Sequence, residues 1–193
     1  MRNKFLLLGL LTAGCSIFGK GSEERPSYQV VLKADNKEIR KYDSYIIAKT
    51  AINGHFKEAQ SKGFRILAGY IFGKNKSEQS ISMTSPVVMT PLENKSWAMS
   101  FSMPSKYTLN TLPVPNDERV EIEVIKERLV AAITYSGLWG EERNAEESKK
   151  LQEWLKSHQE YEVISAPMFA GYNPPWTIPF LRRNEILIEL RRK

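Results

Sequence analysis

The hydrophobic pattern after residue 55 predicts the clearest helix of the chain. Apolar or small residues recur there at spacings of three and four, as is typical of a helix with one buried face. These residues are Phe56, Ala59, Gly63, Leu67 and Tyr70. Phe64 and Ile71 widen this face towards the end of the helix. Gly73 follows, and glycine readily adopts the left-handed conformation found at many helix ends.

The pattern changes to strict alternation at residues 81–89, which predicts a strand. Its apolar positions are Ile81, Met83, Val87 and Met89. A helix laid across such a sheet would form a core. We therefore expect any pocket to lie along the seam between them.

The remaining pattern predicts two units with the same order of elements. Around the first helix, strands are predicted at residues 28–32, 38–42, 45–52 and 97–103. After a proline-rich connection at residues 104–115, the pattern predicts strands at 120–124 and 129–135, a helix at 141–158, and strands at 163–170 and 186–190. We therefore expect an α+β fold built from two ββαββ-like pseudo-repeats. They would form a curled antiparallel sheet or barrel of eight strands that packs against two helices.

The first 14 residues have the pattern of an export signal. Arg2 and Lys4 precede an apolar run at residues 5–11, which is too short to span a membrane. Small residues then lead to Cys15, so LTAGC resembles a bacterial lipobox, although Thr12 stands where Leu or Val is usual. Acylation would remove a thiol that is otherwise exposed after export, and several acyl chains would anchor the protein stably.

This interpretation divides the chain into a lipoprotein signal at residues 1–14, a polar tether at residues 15–27 and one domain at residues 28–193. It predicts a lipid-anchored protein of the bacterial cell envelope. The alternative is a general secretory signal in which Cys15 stays unmodified.

Composition favours a binding protein over several other classes. The net charge is +6, but cations and anions are mixed along the chain, so we expect no nucleic-acid partner. Two histidines, His55 and His158, and one cysteine cannot supply a structural zinc site. No GxSxG, HExxH or phosphate-binding glycine motif is present. We therefore expect a protein without catalytic activity or a bound metal ion of its own, and a monomer.

Several segments resemble the SOUL haem-binding family. They are GFRILAGYIFGKN followed by ISMTSPV, IRKY at residues 39–42, LPVPND at residues 112–117, and AGYNPP and RRNEILI near the end. They occur in the expected order over about residues 28–190. The resemblance implies the helix-and-sheet fold described above. It also implies non-covalent binding of haem or a related tetrapyrrole.

Two regions are candidates for such a site, because a porphyrin needs apolar contacts and cations for its propionates. One region is the face of the first helix, with Phe56, Ala59, Gly63 and Leu67, and with Lys62 on its flank. The other is the loop after AGYNPP, which contains Trp176, Ile178, Phe180 and Arg182. The alternative for the loop is that its apolar side chains fold back and cap the core.

The sequence leaves the axial ligand and the ligand class open. Some SOUL proteins have a histidine before the tyrosine of the IR-x-Y motif, but Lys41 occupies that position here. His55 is then the candidate axial ligand, and His158 is expected to be structural. The doubled architecture also resembles the gyrase-inhibitor-like effector domains. A groove for another small molecule or a lipid, or an envelope interaction scaffold without haem, is therefore the alternative function.

Overall fold

The computed structural model describes residues 23–193, so the predicted signal, Cys15 and most of the predicted tether lie outside the described residues. This part of the chain contains ten strands, two α-helices and one short 3₁₀ turn at Pro179–Leu181. The first half comprises β1 (Tyr28–Ala34), β2 (Lys37–Tyr42), β3 (Tyr45–Asn53), α1 (Phe56–Ile71), β4 (Val87–Pro91) and β5 (Ser96–Ser102). The second half comprises β6 (Glu121–Ile125), β7 (Arg128–Tyr135), α2 (Glu141–Leu155), β8 (Tyr161–Val163), β9 (Met168–Gly171) and β10 (Asn184–Arg192).

The strands form one curled antiparallel sheet in the order β1-β2-β7-β10-β9-β4-β5-β3-β6, and β8 pairs with β10 beside this path. Strands β4 and β9 pair at the centre, where the two halves of the chain meet. The halves also exchange strands, since β6 pairs with β3 and β2 pairs with β7. The α+β fold with two repeats is confirmed. The described sheet has ten strands rather than the expected eight.

Two local differences explain one of the two additional strands and the shifted boundaries. The alternation at residues 81–89 yields a paired strand only from Val87, because Thr84 and Ser85 bond elsewhere. The Thr84 hydroxyl donates to the Ser102 carbonyl at 2.6 Å, and the Ser85 amide donates to the Glu24 carbonyl at 3.0 Å. The predicted strand at residues 163–170 is divided into β8 and β9. Between them the Ser165 hydroxyl accepts a hydrogen bond from the amide of Glu189 in β10.

Helix α1 lies on β3 and β5 and buries the face that the sequence predicts. Phe64 is the exception, because it is 42% exposed. Gly73 has a φ of +103°, and its amide donates to the Tyr70 carbonyl while the Lys74 amide donates to the Gly69 carbonyl. These two bonds form the Schellman ending that the sequence predicts.

Helix α2 lies on β7 and β10 in the equivalent position of the second repeat. It ends at Leu155 rather than at His158. Its buried residues are Asn144, Glu147, Ser148, Leu151 and Leu155, whereas Ala145 is exposed. Within residues 23–193, neither helix is long and apolar enough to cross a membrane.

The two faces of the sheet differ because side chains alternate along each strand. The face towards the helices forms the main core, with Ala48, Met99, Ile133 and Ile186 among its buried members. The opposite face carries a second buried cluster that includes Tyr42, Val130, Met168, Tyr172 and Leu187. No helix of the described chain packs on this second face, so it is the face on which a ligand could bind.

Gly63 sets the distance between α1 and the sheet. A methyl group at Gly63 would lie 2.8 Å from Ile52 Cδ1 and 3.0 Å from Met99 Cβ, whereas one at Gly69 would meet only the flexible Lys74 side chain at 3.3 Å. We expect Gly63→Ala to lower the free energy of unfolding by about 1–3 kcal/mol through overpacking. We expect Gly69→Ala, on the same helix, to be neutral or stabilising by up to about 1 kcal/mol. Urea unfolding of both variants measures the difference, and equal effects would contradict the close packing at Gly63.

Candidate functional site

A groove with a cavity volume of about 380 Å³ runs across the helix-free face of the sheet. That volume falls within the range of about 300–1,000 Å³ usual for sites of small ligands and cofactors. Its centre is open because the strands place small side chains there. They are Val88 of β4 and Ala98, Ser100 and Ser102 of β5.

Tyrosine rings form much of one wall of this groove, which we call the tyrosine groove. Tyr28, Tyr42, Tyr45 and Tyr172 all line it. The ring centroids of Tyr28 and Tyr42 are 4.9 Å apart, and those of Tyr42 and Tyr45 are 6.2 Å apart. Such rings offer broad apolar faces for a flat ligand, with hydroxyl groups at their edges.

Arginine side chains pack on these rings and bring positive charge to the groove. The guanidinium groups of Arg183 and Arg25 lie 4.4 Å and 5.1 Å, respectively, from the centre of the Tyr172 ring. Lys49 and Arg128 also line the groove, where Lys49 pairs with Glu123 at 2.7 Å and Arg128 pairs with Glu189 at 3.0 Å. The balance of charge therefore favours an anionic ligand over a cationic one.

Arg128 has a donor that the described residues leave unused. Its two terminal nitrogens donate to Tyr45 at 2.8 Å and to Glu189 at 3.0 Å. Its Nε–H is buried and has no partner among residues 23–193. A buried donor without an acceptor is costly, so a ligand oxygen at this position would stabilise the site.

The buried carboxylate of Glu185 holds Arg183 in place at one end of the groove. It accepts two bonds from Arg40, at 2.7 and 2.9 Å, one from the Arg183 Nη2 at 2.6 Å, and one from the Tyr172 hydroxyl at 2.7 Å. Burial alone raises the pKa of Glu185, but these partners outweigh it and lower the pKa to about 2. Glu185 therefore stays ionised, and Arg40 and Arg183 balance its charge. Its hydrogen bonds orient both Arg183 and Tyr172.

The predicted helix-face residues lie on the other side of the sheet. Phe56, Ala59 and Leu67 are 3%, 0% and 0% exposed, and Gly63 is also buried. They form the core and do not line the tyrosine groove. Lys62 is exposed on the same helix and pairs with Glu58.

The predicted loop residues are exposed at the end of the sheet. Trp176 is 82% exposed, Ile178 53% and Phe180 72%, so the alternative in which they cap the core is wrong. The Arg182 guanidinium donates to the carbonyls of Thr177 and Pro175 and so holds the loop in shape. The loop begins and ends beside the groove, where the Tyr172 amide donates to the Arg183 carbonyl at 3.1 Å.

The candidate axial ligand His55 and Lys41, which occupies the position of the histidine found in some SOUL proteins, both lie away from the groove. His55 is exposed at the start of α1, on the helix side of the sheet. Lys41 is half exposed and pairs with Glu127. Within the described residues, no group of three or more His, Cys, Asp and Glu side chains is placed to hold a metal ion.

Sequence reasoning missed the tyrosine groove because it followed only the apolar side of each strand. The other side contained a signal in Tyr28, Tyr42 and Tyr45, which recur at the ends of three strands and meet when the sheet curls. Tyr172 lies within the AGYNPP segment, where no local pattern marks it as a groove residue. The cations of the groove come from four distant segments, so no local spacing reveals them.

Comparison with known proteins gives consistent results. The family model described as "SOUL heme-binding protein" matches residues 23–189. Heme-binding protein 1 of Xenopus tropicalis is 30% identical over 156 residues, covering 77% of this chain and 80% of the relative. Heme-binding protein 2 of Mus musculus is 29% identical over 184 residues, covering 86% and 88%.

Solved structures show the same fold at low sequence identity. The C-terminal domain of EcmrR has a TM-score of 0.62 and 12% identity, covering 86% of this chain and 99% of that domain. An uncharacterized conserved protein from Listeria innocua also has a TM-score of 0.62, with 9% identity and coverage of 81% and 92%. These likenesses concern the fold alone.

The Glu185 cluster should make stability depend on acid pH. Because its pKa is lowered from 4.5 to about 2, Glu185 stabilises the fold fully above pH 4.5 and progressively less as the pH falls towards 2. We expect Glu185→Gln to lower the free energy of unfolding at pH 7 by about 3–5 kcal/mol, since it breaks a buried ion pair.

The difference from the wild type should shrink between pH 4.5 and pH 2, as measured by urea unfolding at several pH values. Glu153→Gln is the matched control, because Glu153 pairs with Lys156 in the exposed part of α2. It should change stability by less than about 1 kcal/mol. A pH-independent difference for Glu185→Gln would contradict the assigned role.

Proposed function

Because the chain belongs to the SOUL haem-binding family, we propose that it binds haem or a related tetrapyrrole and does not catalyse a reaction on it. The tyrosine groove supports this proposal, because it combines aromatic faces with a cationic lining. We place the ligand there rather than on the helix face, whose residues are buried in the core.

The residues of the groove fit a flat, anionic ligand. The rings of Tyr28, Tyr42 and Tyr45 would contact an apolar macrocycle, and small side chains on β5 leave room beside them. Arg128 and Lys49 would pair with carboxylates, and the unused Nε–H of Arg128 is the observation that carries this assignment. Apolar burial of several side chains, each worth roughly 1.5–3 kcal/mol, could support micromolar affinity.

The exposed loop supports a second candidate site for the same ligand. Trp176 and Phe180 offer exposed apolar surface, as the sequence predicts, and neither of them lines the tyrosine groove. A third possibility keeps the groove but changes the ligand to another anionic small molecule or lipid. Hemin titration of suitable variants separates the three.

We also propose that the protein is exported and lipid-anchored in a bacterial envelope through Cys15. The support is the sequence LTAGC after a charged and apolar leader. The polar stretch GKGSEERP at residues 19–26 would then serve as the tether between the anchor and the domain.

Hemin binding should depend on the groove. We expect protein lacking residues 1–15 to give a saturable Soret change at micromolar concentration. Ser100→Trp, which fills the groove, and Arg128→Gln, which removes the guanidinium with the unused Nε–H, should each weaken binding by more than about tenfold, or 1.4 kcal/mol. Circular dichroism and urea unfolding show whether each variant stays folded.

His55→Ala and the double variant Trp176→Ala with Phe180→Ala serve as controls away from the groove. Both should weaken hemin binding by less than about tenfold. If one of these two variants instead weakened hemin binding more than Ser100→Trp and Arg128→Gln do, the ligand would lie at the loop or at His55. No saturable Soret change in the wild type would count against haem as the ligand, and displacement of a hydrophobic dye by other anions would then favour the third possibility.

The proposed lipid anchor at Cys15 predicts that the protein is found in the membrane fraction. We expect Cys15→Ala to leave the domain folded but to release it from the membrane fraction of a bacterium that processes lipoproteins. Cell fractionation measures the release, and intact-mass spectrometry of the wild type should show an acylated N-terminal cysteine. An unmodified Cys15 in the mature protein would refute the anchor without affecting the fold.

A further inference from the structure

Five large apolar side chains form an exposed surface at one end of the sheet, which we call the aromatic loop patch. They are Leu138, Trp176, Ile178, Phe180 and Leu181, which are 65%, 82%, 53%, 72% and 55% exposed. The Gly137 amide donates to the Pro179 carbonyl at 2.9 Å and so joins the two loops that carry them. Exposed apolar surface gathered in this way usually marks an interaction site.

The loop is held in a defined shape with these side chains outward. The Arg183 amide donates to the Asn173 side chain at 2.6 Å, and the Thr177 amide donates to the Pro174 carbonyl at 3.0 Å. The Arg182 side chain bonds two further carbonyls from within the loop. The exposure of the rings is therefore built into the fold and does not result from a lack of local structure.

The N-terminal segment enters the domain beside this patch. The Arg25 guanidinium stacks on Tyr172 and its Nε–H donates to the Ser85 hydroxyl at 3.2 Å. Tyr172 directly precedes the loop, and Gly171 pairs with Val87 at the same end of the sheet. Eight residues lie between Cys15 and Glu24, so the nine Cα–Cα steps that join them span about 30 Å when fully extended. An anchor at Cys15 would therefore keep this end of the domain close to the bilayer.

We propose that the aromatic loop patch docks on the lipid surface to which the chain is anchored. Trp and Phe side chains beside aliphatic ones are well suited to the boundary between headgroups and acyl chains. This inference rests on the proposed anchor, because the anchor supplies the proximity and the patch supplies the orientation. In this arrangement the Tyr172 and Arg183 end of the tyrosine groove lies nearest to the membrane.

Quenching of tryptophan fluorescence by brominated lipid tests the proposal. The full-length chain is expressed in a bacterium that processes lipoproteins, and the purified protein is mixed or reconstituted with vesicles. The vesicles contain phosphatidylethanolamine, phosphatidylglycerol and phosphatidylcholine brominated on its acyl chains. We expect quenching in the wild type and loss of most of it in Trp176→Phe.

Trp154→Phe is the matched control, because Trp154 is half buried on α2 and packs against the His158 ring, with ring centroids 4.4 Å apart. It should keep the quenching of the wild type, and circular dichroism should show that all three proteins are folded. No quenching, or equal loss in both variants, overturns the proposal. Loss of a dimer in sedimentation of Trp176→Phe, with quenching unchanged, would show that the patch binds a second copy and would also overturn it.

Intact mass of the same sample separates the two proposals. Acylated protein without quenching that depends on Trp176 means that the anchor is correct and the docking surface is wrong. Protein without acylation that still shows this quenching means that the patch binds lipid by itself and that the anchor is wrong.

Discussion

The buried carboxylate of Glu185 constrains how the residues on the helix-free face of the sheet are arranged. An unpaired charge at that position on β10 would be strongly destabilising, so Arg40 of β2 must meet it across β7. The same charge holds Arg183 against Tyr172 and so sets the shape of one end of the groove. The Glu185 carboxylate therefore links β2 of the first half to β10 of the second half, and it also orders the candidate site.

Alternation along the strands allows the core and the groove to form independently. One set of side chains packs under α1 and α2, and the other set lies on the helix-free face. Gly63 lets α1 approach β3 and β5 closely, so the helix side of the sheet is tightly packed at this point. A binding site on the opposite face can then keep small side chains such as Ser100 without weakening the packing of the helices.

The sequence predicts the fold better than the site for a physical reason. Periodicity records which side of each element is apolar, so α1, its Gly73 ending and the repeated order of elements could all be derived from it. The groove depends on how far the sheet curls and on which strands pair, and both are long-range properties. Tyr172 is far from Tyr28 and Tyr45 in sequence, and the pairing of strands from both halves together with the curl of the sheet brings all three to one cavity.

The segment at residues 24–27 connects the two surfaces of functional interest. The Glu24 carboxylate accepts the Ser105 amide at 2.7 Å, and the Ser27 carbonyl accepts the Asp43 amide at 3.1 Å. Arg25 and Pro26 line the tyrosine groove from this segment. The chain that leads to the proposed anchor is thus part of the groove wall. A change in the path of the tether would move Arg25, and a ligand that pairs with Arg25 would in turn hold the tether against the domain.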